Sequence, residues 1–224
     1  MEGAPRFTAP SGADARARRA VLAEWYGENA RDLPWRRTRD AYAIWISEAM
    51  LQQTRVEVVV DYWTRFLEQF PDVRALADAD EERVLEAWSG LGYYRRARSL
   101  QAAARAMVAE YGGEFPRSRE AALSLPGVGP YTAGAVLSIA YDLPVTLVGG
   151  NVERVLSRVF GIDGTKGSPE LLRCIWSAAE FLVERGTAAA DRVAPGVWSQ
   201  ALMELGALED ARRLALTGMA RKVL

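Results

Sequence analysis

A chain of 224 residues is long enough for one or two domains with a sizeable core, and its make-up excludes collagen-like, low-complexity and largely disordered classes: half apolar, a quarter charged, 19 glycines and 10 prolines. Its 28 basic and 29 acidic residues leave a formal net charge of −1, so any nucleic-acid contact must rest on local basic charge. One cysteine, Cys174, and no histidine exclude a disulfide framework, a Cys/His zinc site, an iron–sulfur cluster and every mechanism that uses an imidazole.

The first residues mix proline, glycine, Glu2, Asp14 and several arginines instead of an apolar leader, and residues 1–15 are predicted to form a flexible tail. Without a run of about 18 uncharged apolar residues, the expectation is a soluble cytoplasmic protein, nucleoid-associated in a bacterium, with no membrane partner. From Ala15 the apolar positions recur at helical spacing, with Val21, Leu22, Trp25 and Tyr26 on one face. Helical windows follow at about 41–53, 56–70, 81–88, 94–111, 119–123, 130–140, 152–160, 169–185 and 197–208. Turn chemistry separates them at Phe70-Pro71, Ser89-Gly90, Gly112-Gly113, Phe115-Pro116, Pro126 to Gly129 and Gly164 to Gly167. Only Pro144 to Val148 reads as a candidate extended segment. The fold class is all-α. Cys174, mid-helix beside Ile175 and Trp176, reads as a core residue.

Three segments carry chemistry. In Trp45-Ile46-Ser47-Glu48-Ala49-Met50-Leu51-Gln52-Gln53-Thr54, Glu48 lies among apolar neighbours, where an ionised carboxylate is costly to bury. It is either a paired or capping glutamate or one whose raised pKa suits general-acid work. Gln52 and Gln53 can touch base edges or sit on an ordinary surface. In Gly90-Leu91-Gly92-Tyr93-Tyr94-Arg95-Arg96-Ala97-Arg98, the aromatics can wedge into bases while the arginines meet phosphate, or they can pack at a turn beside a solvated arginine face. In Leu125-Pro126-Gly127-Val128-Gly129-Pro130-Tyr131, two glycines allow close backbone approach and Pro130 suits a first helical position. Free amides there would form an anion site, the layout of a helix-hairpin-helix, although many such turns are plain connectors.

With Leu33-Pro34-Trp35-Arg36, Gly150-Asn151-Val152 and the stretch from Pro195-Gly196 to Gly206-Ala207, these segments resemble the MutY-type adenine DNA glycosylases of the endonuclease III superfamily. The likeness runs in order over about residues 16 to 208. It implies a helix-hairpin-helix glycosylase fold: a six-helix barrel lobe at 41–140 and a second helical lobe from 16–40 with 141–208, a flipped adenine binding between them. Residues 209–224 are left as a tail of uncertain fold. The resemblance makes Glu48 the acid that protonates adenine and assists the attacking water, which is sound chemistry because the departing base is anionic. It makes Tyr131 a pocket residue, Asn151 a residue that helps place the catalytic carboxylate, Gln53 and Tyr93 residues that penetrate the duplex, and Gly127 and Gly129 phosphate binders. A tyrosine at 131, where lyase relatives carry a Schiff-base lysine, implies a monofunctional glycosylase. The implied partner is double-stranded DNA with adenine mispaired with oxidised guanine or guanine, bound by a monomer.

Two departures qualify that likeness. The family pattern Asp-Gly-Asn-Val is here Gly149-Gly150-Asn151-Val152, so glycine replaces the carboxylate that stabilises the oxocarbenium-like transition state. Neither Asp142, seven residues earlier, nor neutral Asn151 is an obvious substitute. After Leu208 the family continues into four cysteines that ligate a [4Fe–4S] cluster, whereas Glu209 and Asp210 follow here, so no cofactor and no metal are expected. The family's C-terminal domain that inspects oxidised guanine is also expected to be missing. The readings left are an impaired adenine glycosylase and a catalytically inactive duplex-DNA-binding module; a glycosylase-lyase is discouraged by Tyr131.

Overall fold

The computed structural model describes residues 5–185 and 193–208. The expected C-terminal tail, 209–224, lies outside the described residues. All regular structure among the described residues is helical, and 144–148 runs without strand pairing. Two compact units form, one from Asp32–Tyr141 and the other from the described residues up to Arg31 and from Asp142 onward.

The Asp32–Tyr141 unit opens with a short 3-10 turn, Pro34–Arg36, and continues through α2 (Ala41–Leu51), α3 (Val56–Gln69), α4 (Val73–Asp78), α5 (Glu81–Ala87), α6 (Arg95–Glu110), α7 (Arg119–Ser124) and α8 (Pro130–Tyr141). Side chains of Asp40, Asp72 and Ser118 cap α2, α4 and α7 by accepting from first-turn amides. Residues Ala41 to Met50 and Thr132 to Ile139 are buried without interruption, so α2 and α8 are central helices, mostly apolar and covered on every face, that pack on each other. Phe66, Phe70 and Trp88 form an aromatic cluster, the two phenylalanine rings 4.9 Å apart. Residues 32–40, expected with the second lobe, belong here: Trp35 is buried with its ring edge-on to Trp63 at 6.0 Å. The sequence reading missed α4, whose six residues are too short for a periodic signal, although Val73, Leu76 and Ala77 bury one face.

In the other unit, α1 (Gly12–Asn29) packs on α11 (Pro195–Ala207), with α9 (Gly150–Phe160) and α10 (Pro169–Arg185) beside them. Residues 12–15, expected in the tail, form the first turn of α1. Ser11 caps it by accepting from the Asp14 amide while its hydroxyl donates to the Asp14 carboxylate, and Ala15 is fully buried. Arg19 is buried with its guanidinium 4.7 Å from the Trp198 ring centre and donates to the Val193 carbonyl at 2.9 Å. The α9–α11 contact is so close that a Cβ on Gly206 would meet the Asn151 carbonyl oxygen at 2.4 Å. Cys174 is half-buried and its thiol donates to the Pro5 carbonyl at 3.2 Å, so it is an edge residue of α10, contrary to the core placement expected. The helix turns Leu171, Ile175, Ala178 and Leu182 inward instead. No helix of the described residues is long and apolar enough to cross a membrane.

Candidate active site

Glu48 sits in the last turns of α2, 5% exposed, between apolar faces that α2 needs in order to pack. Burial pushes its carboxyl up to about 7; a hydrogen bond from Tyr131 and the charge of Arg36 pull the other way without reversing the shift. Tyr131, the second residue of α8, has its phenol raised far above its ordinary value by burial and then by Glu48, so it remains a donor. Both readings of Glu48 from sequence are therefore partly right: it has a hydrogen-bond partner, and it carries a raised pKa. Its Oε2 is buried with no hydrogen-bond partner. A carboxyl raised this far holds its proton near neutral pH, the state a general acid needs.

The hairpin between α7 and α8 has the expected form. Leu125 and Val128 are buried and anchor the loop, while Gly127 and Gly129 are exposed and their amides meet no acceptor among the described residues. The two glycines differ in what holds them. Gly127 has φ +74° and a Cβ there would stand 2.6 Å from Ser99 Cβ on α6, whereas a Cβ on Gly129 would meet nothing within 4 Å. Pro130 starts α8 as its spacing predicts.

Gln53 and Tyr93 line one cavity of about 370 Å³, together with Trp45, Arg95 and Gly127. Both have left-handed backbones, φ +60° and +49°, which for such side chains costs on the order of 1–3 kcal/mol each and persists only where surroundings enforce it. Tyr93 is 64% exposed, an aromatic ring held out from the surface. The arginines of this run, expected to meet phosphate together, split into different roles. Arg95 is exposed, Arg98 pairs with Glu81 at 2.9 Å, and Arg96 turns inward onto backbone carbonyls.

Gly149 and Asn151 belong to the other unit. Gly149 is the N-cap of α9 with φ −125° and ψ 179°, extended backbone that any residue adopts, and no side chain caps the helix there. Gly150 is the exposed first residue of α9 with open space around it and no left-handed backbone, so nothing local demands glycine there. The side-chain oxygen of Asn151 accepts from Arg154 at 3.2 Å, and the same nitrogen of Arg154 donates to the Gly206 carbonyl. The site residues thus form three groups: Glu48 with Tyr131, Gln53 with Tyr93 and Gly127, and Gly149 with Asn151. Sequence reasoning assigned no role to Arg36 and read Arg96 only with its neighbours, as meeting phosphate or lying on a solvated face; a cation two residues past a proline, and one arginine among three, look like surface charge until the packing is known.

The model of the HhH-GPD superfamily base excision DNA repair proteins matches residues 46–180. Adenine DNA glycosylases of Mus musculus and Homo sapiens are 47% and 45% identical over 204 residues, each covering 87% of this chain and 38% and 36% of the relative. That of Buchnera aphidicola (subsp. Acyrthosiphon pisum) is 36% identical over 188 residues, covering 84% of this chain and 52% of its own length. The chain therefore spans about half or less of these curated relatives. Among solved structures, a thermostable thymine-DNA glycosylase superposes with TM-score 0.74 at 29% identity, covering 88% of this chain and 87% of that one. A non-covalent endonuclease III–DNA complex shares the fold at TM-score 0.65 and 21% identity, with 88% and 85% covered. On the extent of the family match and the identity of these relatives, this chain belongs to the HhH-GPD superfamily of base excision DNA repair proteins.

Proposed function

We propose that the chain is a monofunctional adenine DNA glycosylase unit that binds duplex DNA as a monomer and excises a flipped, mispaired adenine slowly because Gly149 stands where a carboxylate is needed. The observation that carries this reading is Glu48: a buried carboxyl, protonated near neutrality, with one oxygen unpartnered. Cleavage of the N-glycosidic bond sends its electron pair to the adenine, which takes the Glu48 proton as it leaves. Water adds to the sugar carbon and returns a proton to the carboxylate. Tyr131 orients Glu48 by hydrogen bonding and, lacking an amine, forms no Schiff base. The amides of Gly127 and Gly129 bind a phosphate, and Gln53 and Tyr93 enter the duplex. The names of the relatives support adenine as the base, while oxidised guanine or guanine as its opposite rests on the sequence resemblance.

The cluster of the family does not fit these residues. The sequence has one cysteine, its thiol is engaged with Pro5, and no group of three His, Cys, Asp or Glu side chains suited to a metal occurs among the described residues. The reading therefore uses no cofactor. The second reading, a duplex-binding module without chemistry, is favoured by Gly149 and by the missing cluster cysteines. A single-turnover assay on duplex carrying adenine opposite oxidised guanine, with strand breaks scored before and after alkali, separates them. Slow alkali-dependent breaks support the glycosylase; breaks without alkali indicate a lyase; tight binding with no breaks supports the module.

A further inference from the structure

Helix α2 ends at Leu51 without a glycine to turn the chain, and its last carbonyls need donors from elsewhere. Arg96 supplies them. Its Nη1 donates to the carbonyls of Ala49, Met50 and Gln52 at 3.0, 2.9 and 2.6 Å. Its Nη2 donates to Leu91 and Gly92 carbonyls at 3.0 and 3.2 Å and to Thr54 Oγ1 at 3.3 Å, while its own amide donates to the Tyr93 carbonyl at 2.8 Å. The guanidinium lies 5.3 Å from the Trp88 ring centre and 5.7 Å from that of Tyr93. One planar fork thus rivets two loops that are 40 residues apart in sequence, and on each loop the residue it brackets, Gln53 or Tyr93, is left-handed.

We propose that Arg96 is a positioning residue that holds Gln53 and Tyr93 as one preorganised pair for entering the duplex; this rests on the reading of those two residues given above. A left-handed backbone at such a residue persists only where its surroundings enforce it, and Arg96 bonds to residues flanking both Gln53 and Tyr93. A lysine offers one nitrogen and three donors, so it reaches one loop or the other and does not join them. Arg96 touches no substrate in this account. Its effect is on the readiness of the pair, and removing it is expected to separate base extrusion from general DNA affinity, because phosphate contacts made elsewhere are untouched.

The test uses the whole chain and a duplex in which 2-aminopurine replaces the mispaired adenine, whose fluorescence rises on unstacking. Variants Arg96→Met and Arg96→Lys are compared with Arg105→Met, which removes another arginine bonded to backbone carbonyls, those of Ala77 and Ala79, in the same unit. Arg96→Met is expected to keep its affinity for fully paired duplex within about two-fold, to lose about 5- to 30-fold in the extrusion equilibrium, and to speed amide exchange at residues 52–54 and 91–94. Arg96→Lys regains only part of the loss and carries the test if the methionine variant does not fold. Full extrusion by either Arg96 variant overturns the proposal, as does an equal loss in Arg105→Met. A Gln53→Ala/Tyr93→Ala double variant separates the two levels of the argument. Normal extrusion by it overturns the duplex-entry reading and the proposal with it; its failure beside a normal Arg96→Met overturns the proposal alone.

Discussion

The Tyr131 hydroxyl donates to Glu48, and the Oε2 of Glu48 is left buried with no partner. This half-satisfied carboxyl makes a pH prediction with a definite sign. Burial raises Glu48 from 4.5 to about 7, so between those values the folded chain keeps a proton that the unfolded chain has released. The stability cost is absent below pH 4.5, grows as pH rises to about 7 and is constant above. Glu48→Gln is expected to match the parent at pH 4.5 and to exceed it by up to about 3 kcal/mol at pH 8. Urea unfolding at both pH values checks this, and equal stability at pH 8 contradicts it. Tyr131→Phe removes a bond that lowers the Glu48 pKa, so the pH at which the cost levels off should move upward.

The hairpin glycines should respond differently to substitution. Gly129→Val has room for its side chain and is expected to fold while weakening duplex binding about ten-fold for every sequence alike. Gly127→Val combines a positive φ with a contact against Ser99 and should also lose about 2 kcal/mol of stability. Binding titrations on two unrelated duplexes, with thermal unfolding alongside, distinguish these outcomes. Unchanged affinity in a folded Gly129→Val protein would mean the amides do not meet phosphate.

Arg31 and Glu204 form a two-pronged ion pair at 2.7 and 2.8 Å, and the Glu204 side chain is wholly buried. Arg31→Met removes that two-pronged pair from a buried carboxylate and is expected to cost about 3 kcal/mol, toward the low end for buried pairs because Arg31 is a third exposed. Arg37→Met, whose partner Asp32 is exposed, should leave the unfolding midpoint unchanged. Denaturant unfolding of both variants against the parent checks the contrast.

Long periodic helices were legible in the sequence because burial imposes its pattern directly. α10 begins and ends where its apolar spacing and the flanking turn residues indicate. Short α4 was not, because its helical state depends on the Asp72 cap and on packing against α6. The site followed the same rule. Glu48 stood out as a carboxylate in an apolar run, and Gly127 as a turn glycine, since each breaks a local pattern. Arg96 did not, because an arginine that collects carbonyls from two loops is indistinguishable in sequence from its neighbours Arg95 and Arg98. Gly149 was legible only through a resemblance; nothing in its extended backbone demands glycine.

We propose that an adenine glycosylase site persists in this chain and that Gly149 limits it. An aspartate fits the N-cap conformation of α9, where its carboxylate can accept from first-turn amides and remain ionised while Glu48 stays protonated. The decisive measurement is the single-turnover excision rate of the parent, Gly149→Asp and Gly149→Asp/Glu48→Gln on duplex with adenine opposite oxidised guanine, with binding measured separately. Gly149→Asp is expected to raise the rate at least about 10²-fold, the order expected for one transition-state charge partner, and the double variant to lose that gain. Equal rates for the parent and Gly149→Asp, with DNA bound by both, would contradict it.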